Sequence, residues 1–511
     1  MSDLAATPLT DNATPYDALL VDAAVGPLRR FVPDLSTAKW AVSLARKPRT
    51  TSRRLRDLAG DAARITVGTS DVEPRRGDRR FKDAGWTQNP LLHRLVQLYL
   101  AGGRTAEQLV EDAELNDRDR KRVRFLVENI TEAVSPSNVP LLHPESAKAA
   151  IDTGGISLAR GGAALLKDIS SAPRLPEMVD GSGFHLGDNI AGTPGAVVFR
   201  NELFELLQYT PQTDEVFQVP VLIVPPTINK YYAVDLAPGR SMVEFHLQNN
   251  RQVFVISWRN PDARHAAWDL ESYVQAILDA LDSVEEITGS EQTALAAMCS
   301  GGILATIAAA YLAATGRQHR LAAFLLAVTV LDNAGAGTAE ALVDPGMARL
   351  AKARSAQQGY LDGRALAEIF AWLRPSDLIW NYWVNNYLLG KKPPAFDILY
   401  WNADPTRMTA GLHADFIDLA LDNRVLRPGG MTVFGVPIDL TALTVDTYVV
   451  AGIADHITPW ESCYRTVGLL GGETRFVLSN SGHIAALVNP PGNAKSSFHT
   501  GRDQGPDPGH G

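Results

Sequence analysis

Cys299 lies in the run Ala297-Met298-Cys299-Ser300-Gly301-Gly302, between an apolar stretch and a segment of small residues. A thiol in that setting has the layout of a nucleophile elbow, a strained strand-to-helix turn in which the backbone N–H of the next residue, here Ser300, can face a developing oxyanion. Acyl transfer is the chemistry implied. Cysteine replaces the serine of the G-x-S-x-G box, and Ala297 replaces its first glycine. A cysteine nucleophile needs a base to take its proton, and the base needs a partner that fixes its tautomer and orientation. Two places downstream offer these groups: Asp455 and His456 follow Val449-Val-Ala-Gly-Ile-Ala454, and His483 follows Phe476-Val-Leu-Ser-Asn-Ser-Gly482. Both lie just past an expected strand, at the edge where open α/β sheets bring residues together. Neighbouring side chains at a strand end point in different directions, so Asp455 is expected to pair with His483, leaving His456 a structural hydrogen-bonding role. Cys463 has no such surroundings, and core packing accounts for it.

These groups need a sheet to position them. Short apolar runs separated by helix-length segments begin near residue 195: Val219–Val224, Gln252–Ser257, Thr293–Met298, Leu321–Leu331, Thr447–Ala451 and Thr474–Ser479. Strands alternating with helices predict a mainly parallel, doubly wound sheet. Thr293–Met298 is mostly Ala and Leu, which favours helix on propensity, so the turn after it carries the strand assignment. The order nucleophile, acid, histidine is that of α/β-hydrolases, whose histidine follows the final strand. In that arrangement the loop Pro225-Pro-Thr-Ile-Asn-Lys230 would supply a second oxyanion donor near Ile228, beside that of Ser300; an ordinary strand-ending loop is the alternative. The expected architecture is an α/β-hydrolase fold with an inserted helical cap and a mostly helical N-terminal domain. Its divisions are a helical domain over 1–185, a catalytic domain over 186–500 with the cap at about 340–435, and an unstructured Gly/Pro-rich tail over 501–511. Trp372, Trp380, Trp383 and Trp401 fall in the cap. An apolar channel or subunit contact would use them, with Trp401 a candidate for substrate binding, and an aromatic core of the cap itself is equally open.

The 511 residues carry a formal charge of −9, which argues against general nucleic-acid binding. Charge is uneven: between Arg29 and Lys82 there are 15 Lys or Arg against 6 Asp or Glu. That stretch reads as a solvated helical arm or as a docking surface for an acidic partner or polyanion. Thr293–Ala314 is uncharged and long enough to be a membrane span, but the Cys-Ser-Gly-Gly turn at its centre fits a buried strand and helix better. Two cysteines cannot build a disulfide framework, so a reducing compartment fits. The N-terminus shows no secretory pattern, which makes a cytoplasmic location the default. No metal-ligand spacing, phosphate loop or dinucleotide fingerprint is present in the sequence.

From about residue 75 to about 498 the sequence resembles the polyhydroxyalkanoate synthases, or poly(3-hydroxyalkanoate) polymerases. The resemblance rests on Asp78-Arg-Arg-Phe-Lys-Asp-Ala-Gly-Trp86, Thr193–Asn201, Pro225–Tyr232, Ser257-Trp-Arg-Asn-Pro261 and Cys299-Ser-Gly-Gly-Ile303. It continues through Arg374–Asn386, Trp401-Asn-Ala-Asp-Pro-Thr-Arg407, Asp455-His-Ile-Thr-Pro-Trp460 and Ser481-Gly-His-Ile484. It implies that Cys299 is the acylated nucleophile, His483 the general base and Asp455 the acid of the triad. The activity implied is polymerisation of (R)-3-hydroxyacyl-CoA with release of CoA, and the motifs look more like the class II synthases, which prefer medium-chain substrates. No metal or organic cofactor is implied. The resemblance further implies a homodimer on cytoplasmic polyester granules, with granule-associated proteins as partners, and no membrane span. A cysteine-dependent thioesterase or polyester hydrolase, and an inactive granule-binding relative, are the alternatives. Ala297 departs from the family's glycine, and the residues from Gly501 look unrelated to it.

Overall fold

The computed structural model describes residues 16–26, 33–75, 78–170, 173–332, 345–373 and 375–502. Arg29, Arg30 and Arg76 of the basic stretch, the first residues of the expected cap (340–344) and residues 503–511 of the tail lie outside the described residues. Two compact units are present, one of residues 1–25, 181–367 and 395–511, the other of residues 26–180 and 368–394.

The first unit is built on a sheet of nine strands among the described residues: β1 (Gly195–Arg200), β2 (Phe204–Tyr209), β3 (Val221–Val224), β4 (Val253–Trp258), β5 (Thr293–Met298), β6 (Leu321–Ala327), β7 (Thr447–Gly452), β8 (Thr474–Ser479) and β9 (Phe498–Arg502). Their order is β1-β2-β4-β3-β5-β6-β7-β8-β9. From β4 to β8 every pairing is parallel, and β1, β2 and β9 pair antiparallel at the two edges. Central strands covered on both faces are apolar throughout; all four residues of β3 are buried. β5 is a strand despite its Ala and Leu, because its central place between β3 and β6 supplies a full ladder on each side and tertiary context overrides propensity.

All six expected strands are present, the fourth ending at Ala327 rather than Leu331, where Val328 turns to a positive φ of 45°. The β1–β2 hairpin has no counterpart among the sequence-based strands; β1 is an edge strand whose apolar residues, Val197 and Val198 among them, stay largely exposed. The tail also starts later than expected: Gly501 and Arg502 belong to β9, opposite Phe476 and Arg475 of β8.

The insertion between β6 and β7 divides. Helices Pro345–Gln358 and Ala410–Asp422 stay with the sheet, as does the N-terminal helix Tyr16–Val25. Residues 368–394 instead join the helical unit. Asn386 Nδ2 donates to the Glu177 carbonyl (2.7 Å), Trp383 Nε1 to that of Asn138 (3.0 Å), and the Tyr387 hydroxyl to Asp168 (2.7 Å). Trp372, Trp380, Trp383 and Tyr387 stack edge to face in sequence, with centroids 5.2–6.4 Å apart. A side chain at Gly161 would run into the Tyr387 carbonyl, so the chain needs glycine at that contact. In the same unit Lys39, Lys47, Arg54 and Arg80 of the basic stretch pair with Asp119, Glu114, Asp112 and Asp78. Part of its excess charge is therefore balanced within the fold. No helix among the described residues is long and apolar enough to cross a membrane.

Candidate active site

Cys299 is the first residue of helix Cys299–Ala314, directly after β5, and its φ is +50°. A non-glycine residue in the left-handed region is uncommon and is held only where the surroundings over-determine it. Close packing does that here. A Cβ on Gly301 would clash with the carbonyls of Val224 and Pro225, and one on Gly302 with the Thr329 side chain, so the two glycines let the helix sit hard against the ends of β3 and β6. Ala297 lacks a positive φ and is fully buried in β5, level with Val224 and Leu326. The strand geometry therefore accommodates its methyl.

Asp455 follows β7 and is 1% exposed. Its Oδ1 accepts the amides of Ile457 (2.8 Å) and Thr458 (2.9 Å), an Asx-type turn. Its Oδ2 accepts the Thr458 hydroxyl (2.6 Å) and lies 2.7 Å from Nδ1 of His483. Burial pushes this carboxyl up, but the His483 ring and the Thr458 donors outweigh it and hold the group below its ordinary value. His483 starts the short helix after β8. Burial pulls the imidazolium down, while the Asp455 charge and hydrogen bond, joined by a hydrogen bond with the Cys299 thiol, raise it above its ordinary value. With Nδ1–H directed to a carboxylate, the tautomer leaves Nε2 for the thiol. Asp455 meets His483 through this bond, as the strand-end argument for His483 over His456 requires.

The loop after β3 is bound to the elbow. Ser300 Oγ accepts the Thr227 amide (3.0 Å) and lies 3.2 Å from the Thr227 hydroxyl. Pro225 accepts from Trp258 Nε1 (3.0 Å), Ile228 accepts from the Thr406 amide (2.8 Å), and Lys230 accepts from Trp401 Nε1 (2.7 Å). Trp401 is thus buried against Ile190, Tyr232 and Leu236 and tied to this loop, and it is not among the residues that line the pocket at Cys299. The amide of Ser300 lies in the first turn of a helix with no side-chain cap, where N–H groups have no intrahelical acceptor.

An apolar pocket opens at Cys299. Its apolar lining comes from Ile303, Val328 and Leu331, which we call its floor, and from Phe416, Leu419, Ala420 and Val425 of the insertion, which we call its roof. Sequence reasoning missed the roof, whose residues read as an ordinary buried helix, and it missed Thr458, although the D-x-x-T spacing of Asp455 and Thr458 was available as a turn signal. Cys463 is fully buried and donates to the Thr458 carbonyl (3.8 Å), and burial holds its thiol well above the usual range. It is the inert cysteine. Among the described residues no group of His, Cys, Asp or Glu is placed to hold a metal ion.

Comparison with known proteins bears on the same residues. The profile for the "Poly-beta-hydroxybutyrate polymerase (PhaC) N-terminus" matches residues 77–246, and that for the "alpha/beta hydrolase fold" matches residues 220–490. With the sheet order above, this makes the catalytic unit an α/β-hydrolase fold. The chain is 47% identical over 453 residues to poly(3-hydroxyalkanoate) polymerase 2 of Ectopseudomonas oleovorans, an alignment spanning 89% of this chain and 81% of that protein. It is 42% identical over 475 residues to polymerase 1 of the same organism (93% and 85%), and 37% identical over 455 residues to the polymerase subunit PhaC of Cupriavidus necator (88% and 77%).

Proposed function

The chain belongs to the poly(3-hydroxyalkanoate) polymerase family, and on that premise we propose that Cys299 carries the growing acyl chain, with His483 as general base and Asp455 as the acid that orients it. The protein is an acyltransferase that polymerises hydroxyacyl-CoA through a cysteine nucleophile and releases CoA. In the proposed assignment His483 Nε2 takes the thiol proton and the thiolate attacks the thioester carbonyl. The tetrahedral oxyanion is met by the backbone amides of Ser300 and Ile228. Collapse forms the Cys299 thioester, and the departing CoA thiolate takes the proton back from His483. The 3-hydroxyl of a second hydroxyacyl-CoA then gives its proton to His483 and attacks that thioester; a C–O bond forms, the C–S bond to Cys299 breaks, and the leaving thiolate takes the proton from His483. The chain, longer by one unit and now a CoA thioester, returns to Cys299 by a repeat of the first step, which releases that CoA.

The observation that carries this assignment is the 2.7 Å contact between His483 Nδ1 and Asp455 Oδ2, together with the left-handed backbone of Cys299. Medium-chain (R)-3-hydroxyacyl groups are the proposed substrates, supported by the class II-like motifs and the apolar walls of the pocket. Action as a homodimer on polyester granules in the cytoplasm is proposed on the family resemblance alone. Purified protein given C4 to C12 3-hydroxyacyl-CoA should release CoA and yield recoverable polyester richest in medium-chain monomers. Free hydroxy acid without polymer would overturn the polymerase reading in favour of a thioesterase, and a Cys299→Ala variant as active as the parent would remove the nucleophile.

A further inference from the structure

The roof of the pocket has its own anchorage. Phe416, Leu419 and Ala420 project from helix Ala410–Asp422 at spacings of three and four, which puts them on one face. Beyond the C-terminal end of that helix, Asn423 Nδ2 donates to Asp332 (3.2 Å), next to the floor residue Leu331. In its N-terminal half, one turn before Phe416, His413 is fully buried and uses both ring nitrogens. Nε2 lies 3.2 Å from the Leu20 carbonyl and Nδ1 2.8 Å from Ser355 Oγ. A carbonyl can only accept, so Nε2 carries the proton and Nδ1 accepts the Ser355 hydroxyl, which fixes one tautomer. Burial pulls this histidine down to about 4, so the ring is neutral. Three helices meet at it: Tyr16–Val25, whose Leu20, Val21 and Ala23 are buried, Pro345–Gln358 through Ser355, and the roof helix itself. Lys352 Nζ to Asp418 Oδ1 (2.6 Å) adds a second tie between the last two.

We propose that helix Tyr16–Val25 is a strap that fixes the pocket roof through His413, and so takes part in selecting the length of the acyl chain. The proposal rests on the reading of this pocket as the acyl site. Three of the four apolar roof residues ride on one helix, so a small displacement of it changes the depth available to the chain. One methylene in an apolar pocket is worth roughly 10-fold in selectivity, so a small change in depth has a measurable effect. His413 is a positioning residue and touches no substrate.

The test uses the full chain and three variants: His413→Leu, Ser355→Ala and deletion of residues 1–26. CoA release is measured with C4, C8 and C12 3-hydroxyacyl-CoA, separating kcat from KM. Freeing the roof should raise the ratio of kcat/KM for C12 over C4 by about 5- to 10-fold in His413→Leu and in the deletion, and by less in Ser355→Ala. Most of the change should lie in KM. Adding a peptide of residues 16–26 to the deletion variant should restore the parent ratio. A uniform loss at every chain length, or a deletion variant whose ratio matches the parent, overturns the strap. Ala420→Phe separates this from the underlying reading, since filling the pocket should lower the C12 over C4 ratio. If Ala420→Phe leaves that ratio unchanged, the acyl pocket itself is wrong; if it lowers the ratio while the strap variants do not move it, only the strap is wrong.

Discussion

Oδ2 of Asp455 lies 2.7 Å from Nδ1 of His483, at the ends of the adjacent parallel strands β7 and β8. The same carboxylate also accepts from Ile457 and Thr458, so its orientation does not depend on the histidine alone. Asp455→Asn keeps the shape but offers an amide that can favour the wrong imidazole tautomer. In a comparable triad that change costs about 10⁴ in kcat. We expect a fall of about 10³- to 10⁴-fold in the rate of CoA release, with KM little changed, measured by thiol titration.

The same pair makes stability depend on pH in two opposite ways. His483 is held above its unfolded value, so its contribution is complete below about pH 6.5 and is lost as pH rises through the raised folded value. Asp455 is held below its unfolded value, so its contribution is complete above about pH 3.9 and is lost as pH falls through the depressed folded value. Denaturant unfolding of parent and Asp455→Asn should therefore differ most between about pH 4 and 6.5. The two curves should converge toward alkaline pH, and a gap that widens there would contradict the pairing.

Ser300 does two jobs, because its amide is a proposed oxyanion donor while its hydroxyl accepts the buried Thr227 amide at 3.0 Å. Ser300→Ala leaves that N–H without its partner. A stability loss of about 1–3 kcal/mol is expected, read by denaturant unfolding. The freed loop also carries Ile228, so kcat should fall by about 10- to 100-fold while Cys299 still becomes acylated. Mass spectrometry of the trapped acyl-enzyme checks the second part.

The residues of the proposed triad were legible in the sequence because the fold ties chemistry to strand ends. Cys299, Asp455 and His483 each follow an apolar run that becomes β5, β7 or β8, and chain order, with the divergence of neighbouring side chains at a strand end, pointed to their proposed roles. Phe416, Leu419 and Ala420 were not legible. Their spacing is that of any helix packed on a core, and only the folded chain shows that one face of it looks onto a thiol. β9 was hidden for another reason: Phe498–Arg502 includes a glycine and little β-branched residue, and its pairing with β8 is set by the edge it meets. Residues 368–394 read as part of a contiguous cap because periodicity does not reveal a partner. Their destination depends on long-range bonds such as that from Asn386 to Glu177.

Trp401 distinguishes a residue that binds substrate from one that holds the site in shape. Its indole donates to the Lys230 carbonyl at 2.7 Å and is buried with Tyr232 and Leu236. Trp401→Phe removes the donor and keeps most of the ring. If the indole serves as a loop anchor, this variant should lose about 1 kcal/mol of stability and show a lower kcat with KM nearly unchanged. The loop it secures carries Ile228, and an amide that drifts there weakens only the transition state. A substrate contact would leave the opposite signature, a raised KM that grows with acyl length at constant kcat. Steady-state kinetics with C4 and C12 3-hydroxyacyl-CoA separate the two, and a purely KM effect would return Trp401 to the acyl-binding surface.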